Sequence, residues 1–233
     1  MSPIQSRAPE YSAKYAVSAD SHCRKIDLRY KKEDSSKYTV LLVLKAAFHP
    51  QTTQEVISYS SRIESYKEIN CDIVGIVKDS YESIHEWVVA PESEGGLANS
   101  QEFPIISDKA FPGLVSQLGV KTLESYGDNA IIIVDPVGKI RYWAAFPPDV
   151  GRGETLNIVA SIREVDRNNG TVLTPADWME GDPVIPNDRL GIDKFYRDNY
   201  GMNRGGFLKM IRSTFSNWFY KRITIHLLKR LSL

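Results

Sequence analysis

Cysteine is scarce in this chain of 233 residues, which contains only Cys23 and Cys71. Two thiols are too few for a disulfide scaffold or a cysteine-based metal site. The four histidines show no metal-ligand spacing, and the glycine pair 95–96 lacks the spacing of a nucleotide-binding loop. We therefore expect reduced thiols in an intracellular compartment, with no metal site and no cofactor.

Long apolar runs are also missing. No stretch approaches the ~18 consecutive apolar residues that a membrane-spanning helix needs. Residues 1–7 lack the apolar core of a secretory signal. We expect a cytoplasmic protein by default.

Acidic residues are absent from residues 203–233, a region that holds seven of the 29 basic residues of the chain. The remainder therefore has 22 basic residues against 29 acidic ones, a net charge of −7. This asymmetry indicates either an anionic partner for the tail or a tail that packs on an acidic surface.

Short apolar runs alternate with helical patterns through the first two thirds of the chain. Buried strands are predicted at 38–44, 72–77, 103–106, 130–134 and 139–145. Helices are predicted at 53–69, 80–89, 112–117 and 154–165. The turn at 135–138 makes 130–145 a hairpin. Alternating strands and helices that end in a hairpin predict an α/β sandwich.

The pattern changes after residue 168. Residues 168–170 are typical of a turn, and an arm rich in proline and aspartate follows, which we expect to be extended and laid over another surface. Three glycines between residues 201 and 206 predict a hinge before a final helix. We therefore divide the chain into a domain at 1–168, an extended arm at 169–200, and a hinge with a basic amphipathic helix at 201–233.

The segment from Tyr38 to Arg62 combines a buried strand, a loop and a helix, and it resembles the active-site segment of the peroxiredoxins. The segments 7–11, 103–108 and 174–178 are similar to other parts of that family, in the same order. The resemblance extends to about residue 186. It implies a thioredoxin-like fold, with a central mixed sheet in the sandwich.

The resemblance places Thr52 where the family has its peroxide-reducing cysteine, and Asn129 where it has an active-site arginine. Thr174 stands at the position of the second, resolving cysteine. Peroxide reduction needs a thiolate, and a threonine hydroxyl can neither ionise in its place nor form a sulfenate. A neutral amide cannot stabilise a thiolate as a cation does. These differences predict that the chain is not an enzyme.

The loop before the helix carries Lys45 and His49 at two further positions where the family has other residues, whereas Glu55 keeps the family pattern. We interpret His49 as part of a solvent-exposed loop, because no nucleophile or carboxylate accompanies the histidine–lysine pair. Thr52 and Glu55 have the spacing of a capping box, so we expect Thr52 to cap the helix.

The two cysteines support an alternative. Cys71 opens an apolar strand and is expected to be buried and inert. Cys23 precedes Arg24 and Lys25, so an exposed thiol is expected there. A residual thiol-dependent redox activity through Cys23 or Cys71 is the enzymatic hypothesis, although neither has an evident base or helix N-terminus beside it.

The tail has apolar and basic residues at largely helical spacing. The candidate partner-binding residues are Phe207, Ile211, Arg212, Phe215, Trp218, Phe219, Lys221, Arg222, Lys229 and Arg230. Such a helix can dock on a protein partner, lie on an anionic membrane surface, pack on its own domain or contact nucleic acid. We favour the protein partner over the membrane, and nucleic acid least.

The prediction is a catalytically inactive, peroxiredoxin-like structural subunit of a larger protein assembly, which docks through its tail helix. A homodimer surface of the family is expected as a further contact. The alternatives are the redox enzyme and a chaperone or regulator at a membrane surface. Because the family also occurs in mitochondria, that compartment is the alternative to the cytoplasm.

Overall fold

The computed structural model describes residues 4–28, 37–109, 113–120, 122–123, 126–127, 129–147, 150–151 and 153–201. The strands, numbered in chain order, are β1 (Tyr11–Val17), β2 (Cys23–Leu28), β3 (Tyr38–Val43), β4 (Cys71–Val77), β5 (Ile105–Ser107), β6 (Thr122–Leu123), β7 (Tyr126–Gly127), β8 (Asn129–Val134), β9 (Ile140–Phe146), β10 (Val172–Leu173) and β11 (Ile185–Pro186). The α-helices are α1 (Pro50–Ser60), α2 (Ile63–Glu68), α3 (Tyr81–Val89), α4 (Leu114–Gln117), α5 (Thr155–Arg167) and α6 (Arg189–Tyr200).

Seven strands form one mixed sheet, in the order β2-β1-β5-β4-β3-β8-β9. β3, β4 and β5 run parallel, whereas β8 and β9 continue the sheet from β3 as an antiparallel hairpin. On the other side, β1 pairs antiparallel with β5 and β2. The predicted α/β sandwich with a central mixed sheet is confirmed, and so is the hairpin at 130–145.

The central strand β3 serves two cores because its side chains alternate between the faces of the sheet. Val40 and Leu42 join a cluster with Trp87 of α3 and the aromatic residues of α1 and α2. Leu41 joins a second cluster on the opposite face, where α4 packs. A strand covered on both faces is expected to be apolar, and the run Val40–Val43 of β3 is apolar and buried throughout.

The single helix predicted at 53–69 is wrong in both its start and its continuity. The chain forms α1 and α2, which are separated by Ser61 and Arg62. The Ser61 amide closes α1 on the carbonyl of Ile57, and Arg62 has a φ of −112° and a ψ of 13°, outside the helical region. The apolar spacing continues across the break because both helices pack on the same core, so periodicity alone does not reveal it.

The chain divides into two compact units, Met1–Ile162 and Arg163–Leu233. In the second unit, β10 and β11 form a two-stranded ribbon, and the Trp178 indole donates to the carbonyl of Asp182 at 3.0 Å. The expectation of an arm extended to residue 200 is wrong from Arg189 onward, because α6 forms there. Asp188 caps α6 by accepting hydrogen bonds from two first-turn amides.

No helix within the described ranges is long and apolar enough to cross a membrane. The predicted hinge and tail helix at 201–233 lie outside the described residues, apart from Gly201, which caps the end of α6. The ten candidate partner-binding positions between Phe207 and Arg230 therefore stay a prediction.

Candidate functional site

The residues compared with an active site lie where β3 ends and α1 begins. Two hydrogen bonds hold the connecting loop against the end of the neighbouring strand β4 and its turn, and a third holds that turn. The Leu44 amide donates to the Ile76 carbonyl at 2.9 Å, and the Ala47 amide donates to the Asp79 carboxylate at 2.7 Å. The Ser107 hydroxyl in turn donates to the Asp79 carbonyl at 2.7 Å. The start of α1 is thereby fixed at the carboxyl ends of the parallel strands.

Thr52 is not the cap of α1, so the predicted capping box is wrong. The helix has His49 as its N-cap residue and Pro50 as its first residue. Proline suits this position, since its fixed φ fits the helix and its missing N–H would have no partner within the helix. The proline therefore starts the helix earlier than the capping-box spacing indicates and places Thr52 in the first turn.

Thr52 is fully buried, at 0 % exposure. Its hydroxyl makes no hydrogen bond to any residue in the described part of the chain. A buried polar group without a partner is uncommon, since most such groups are hydrogen-bonded. Chemically, this hydroxyl is far too weak an acid to act as a thiolate would.

The next residue, Thr53, has the partners that Thr52 lacks. Its hydroxyl accepts a hydrogen bond from the Trp87 indole N–H at 3.0 Å and donates one to the Gly95 carbonyl at 3.0 Å. It thus connects α1 to α3 and to the 3-10 turn at Glu92–Glu94. Sequence reasoning missed this role of Thr53. The sequence shows only that a second threonine follows Thr52.

Glu55 and Asn129 meet inside the site. The Asn129 side-chain amide donates to the Glu55 carboxylate at 3.2 Å. Asn129 is 0 % exposed and Glu55 is 5 % exposed. Glu55 lies one helical turn after Thr52, so both side chains project from the same face of α1. The structure therefore brings three of the predicted site positions together beneath the first turns of α1.

Lys45 and His49 are half-buried, in a loop in which Phe48 and Pro50 are exposed. Burial lowers the pKa of His49, and the nearby positive charge of Lys45 lowers it further. The imidazole is therefore neutral at physiological pH. Between them, Phe48 has a φ of 59°, a left-handed conformation that is unusual for a bulky side chain.

The two thiols lie elsewhere. Cys71 is buried at the amino end of β4, at the opposite end of the parallel pair from α1. It lines a cavity of about 450 Å³ whose wall includes Ile73 and Phe103. Cys23 is exposed on β2, and its interaction with the Tyr81 hydroxyl helps to raise the pKa of that tyrosine, after the larger effect of burial.

Thr174, the residue at the position of the resolving cysteine, follows β10 in the second unit and is half-buried. Among the residues that the structure describes, no group of three His, Cys, Asp or Glu side chains is arranged to hold a metal ion.

Comparison with known proteins identifies the family. The AhpC/TSA family matches residues 4–143, more than half of the chain. The chain belongs to the peroxiredoxin (AhpC/TSA) family. Peroxiredoxin-1 of Gekko japonicus is 30 % identical to it over 184 residues, which are 78 % of this chain and 88 % of the relative.

Solved structures show the same fold. The reduced 2-Cys peroxiredoxin of Plasmodium vivax has a TM-score of 0.75 at 21 % identity, covering 84 % of this chain and 98 % of its own. The mitochondrial 2-Cys peroxiredoxin of Plasmodium falciparum has a TM-score of 0.64 at 24 % identity, covering 71 % and 97 %. The predicted thioredoxin-like, peroxiredoxin-type fold is thus confirmed.

The prediction that the chain is not an enzyme is wrong in the light of these relatives. They are named peroxiredoxins, which are peroxidases, and membership of the family points to an enzyme. The inference from Thr52, Asn129 and Thr174 concerned three positions, and it was extended too far when it was applied to the whole protein.

Proposed function

We propose that this peroxiredoxin-family protein works as a structural subunit of a larger protein assembly. The observation that carries the proposal is the exposed apolar surface of the second unit. Met179, Leu190 and Tyr200 are 59 %, 69 % and 64 % exposed, and Leu173 is also exposed. These four side chains, exposed between residues 173 and 200, are the surface through which we expect a protein partner to dock.

The first turns of α1 support the same proposal. Thr53 is tied to Trp87 and Gly95, and Asn129 is tied to Glu55, so these polar groups connect elements of the fold to one another. A site of this kind maintains the scaffold that an assembly needs. A second copy of the chain, as a homodimer, and a different protein are the two kinds of partner that the exposed arm fits.

The tail of the chain is the second surface in the proposal. Phe207, Trp218 and Arg222 belong to the amphipathic pattern that we expect to dock on the partner, and their role rests on the sequence alone. The alternative partner for the same tail is an anionic membrane surface.

The test is native mass spectrometry of the protein purified gently from its source, with identification of whatever accompanies it. We expect a hetero-complex that is lost when residues 207–233 are deleted. A Leu190→Ala variant of the full chain should weaken the same complex, with Ser58→Ala, an exposed change on α1, as its control. Recovery of the chain alone, with the same mass before and after the deletion, would contradict the proposal.

Thiol-dependent peroxide reduction is the second candidate, because the family is one of peroxidases and Cys23 is exposed beside Tyr81. Since Thr52 offers no thiol, this activity has to use one of the two cysteines. Cys23→Ser should abolish peroxide consumption while Cys71→Ser preserves it. Equal activity in both variants and in the double variant would exclude a cysteine mechanism.

A further inference from the structure

The cavity beside Cys71 lies at the amino end of β4. Its volume of about 450 Å³ falls in the range of small-molecule sites. Its wall is formed by β2, β3, β4, α2 and the segment before β5, all of which belong to the first unit. None of the residues of the α1 site described above lines it, so it is a separate place in the fold.

One backbone edge of β4 faces this cavity. The other edge pairs with β3, and the Leu44 amide donates there to the Ile76 carbonyl at 2.9 Å. Because successive residues of a strand direct their backbone groups to opposite edges, Ile73 and Gly75 direct theirs away from β3. The Gly75 amide accordingly donates to the Pro104 carbonyl at 2.9 Å.

Pro104 interrupts this pairing at Ile73. β5 pairs with β4 from Gly75 onward, and in the same parallel register an N–H of residue 104 would donate to the Ile73 carbonyl. Proline has no N–H, so this bond is missing. No acceptor for the Ile73 amide is found among the described residues either. Ile73 is 2 % exposed, so a ligand that supplies a matching donor and acceptor is stabilised at this position.

The side chains around this open edge are apolar in the interior of the cavity and charged at its rim. Ile63, Cys71 and Phe103 are buried and line the cavity together with Ile73. A neutral ligand suits a rim that carries both signs, because an ionic ligand would meet a charge of its own sign. The charged residues of the rim, all exposed, are Asp27, Lys37, Lys67, Asp72 and Glu102.

We propose that this cavity binds one extended residue of a neutral, apolar peptide. The N–H of that residue donates to the Ile73 carbonyl and its C=O accepts from the Ile73 amide, as in a hydrogen-bonded pair of antiparallel strands. Its side chain packs against the apolar interior that Ile63 and Phe103 help to form. Main-chain bonds of this kind supply affinity, and the pocket for the side chain supplies specificity. This assignment does not depend on the assembly role proposed above.

The test is a titration of the full-length protein with N-acetyl-leucine N-methylamide, a neutral peptide of one residue. NMR follows the isotope-labelled methyl groups of Ile63 and Ile73, with Ile185 of the second unit as the internal control. We expect saturable shifts at the first two residues and none at the third, with a dissociation constant of about 1 mM for a ligand of this size.

A matched ligand tests the contact with the backbone of Ile73. The analogue in which an ester oxygen replaces the leucine N–H should bind about ten-fold more weakly, because it leaves the Ile73 carbonyl unpaired. The absence of saturable shifts at Ile63 and Ile73, or equal affinities for the amide and the ester, would overturn the proposal.

A variant of Pro104 separates this backbone contact from general apolar binding. Pro104→Ala supplies an N–H in register with the Ile73 carbonyl, so the preference for the amide over the ester should disappear. Pro183→Ala, at an exposed proline of the second unit, should keep that preference. A folded Pro104→Ala protein with the full preference would also contradict the proposal, and the two ligands decide it on the wild-type protein alone if the variant does not fold.

Discussion

Among the described residues, the two units of the chain differ in the exposure of their leucines. In the first unit, Leu42 is 2 % exposed and contributes to a core that covers both faces of the sheet. In the second unit, Leu190 is 69 % exposed although it lies on a regular, well-capped helix. The first unit therefore obtains its stability from burial within the chain. The second has ordered local structure with apolar surface left over, which is what a partner needs.

A matched pair of leucine substitutions tests this difference most directly. Leu42→Ala should lower the free energy of unfolding by about 2–5 kcal/mol, since it removes buried methyl groups and leaves a cavity. Leu190→Ala should change it by less than about 0.5 kcal/mol, as is usual at the surface. Chemical denaturation of the purified chain measures both. A large loss from Leu190→Ala would show that this side chain stabilises the chain itself, which contradicts the proposed use of it.

Stability measured as a function of pH tests the same difference with one tyrosine from each unit. Burial raises the pKa of Tyr59 from 10.0 to about 12, against the opposing effect of its hydrogen bond to Thr155. Since the folded state holds this proton more tightly, its contribution is complete below pH 10 and is lost as the pH rises towards 12. We expect a loss of about 2 kcal/mol from this group in that window.

Denaturation of wild-type and Tyr59→Phe proteins between pH 9 and 12 checks this expectation. The variant should lose stability less steeply above pH 10, whereas Tyr200→Phe, at an exposed position of the second unit, should follow the wild type. Identical profiles for all three proteins would mean that Tyr59 does not keep its proton on folding.

Two adjacent threonines test whether hydrogen bonds or shape matter at the start of α1. Thr53→Val should cost about 1–3 kcal/mol, because it leaves the Trp87 indole N–H and the Gly95 carbonyl without their partner. Thr52→Val removes a hydroxyl that has no hydrogen bond, so it should be neutral or slightly stabilising. Thermal unfolding compares the two variants, and a larger loss from Thr52→Val than from Thr53→Val would contradict this assignment.

A more local effect is expected at the cap of α6. Asp188→Ala should destabilise that helix by about 1 kcal/mol, since two first-turn amides lose their acceptor. Hydrogen exchange of the Leu190 and Gly191 amides measures this locally. Asp188→Asn keeps a capping oxygen and should preserve the protection, so equal loss in both variants would implicate the charge of Asp188 instead.

The sequence was sufficient for the sheet because an apolar run such as Tyr38–Val43 has few alternatives to a buried strand. It was also sufficient for the hairpin that ends at Phe146, whose turn residues are specific. It failed at the start of α1, where Pro50 and Thr52 offer competing helix starts and the proline prevails. It failed again at Arg62, since a helix break that keeps both helices on one core leaves the apolar spacing intact.

The site shows the same limit at the level of single side chains. Alignment with a family placed Thr52, Glu55 and Asn129 in one site, and the structure does bring them together. It could not identify Thr53 as the residue bonded to Trp87, because that depends on how α1 and α3 are rotated in the packed protein. Nor could three substituted positions decide the activity of a chain whose family consists of peroxidases.

The central position of β3 also determines when the protein can fold during its synthesis. Within the sheet, Leu41 pairs with Val74 on one side and with Ile132 on the other. The strand that completes the second pairing leaves the ribosome long after the first. Until then, one edge of β3 exposes unpaired backbone groups beside apolar side chains, the combination most prone to pairing with other chains. The edge of β3 therefore stays open to other chains until β8 has emerged.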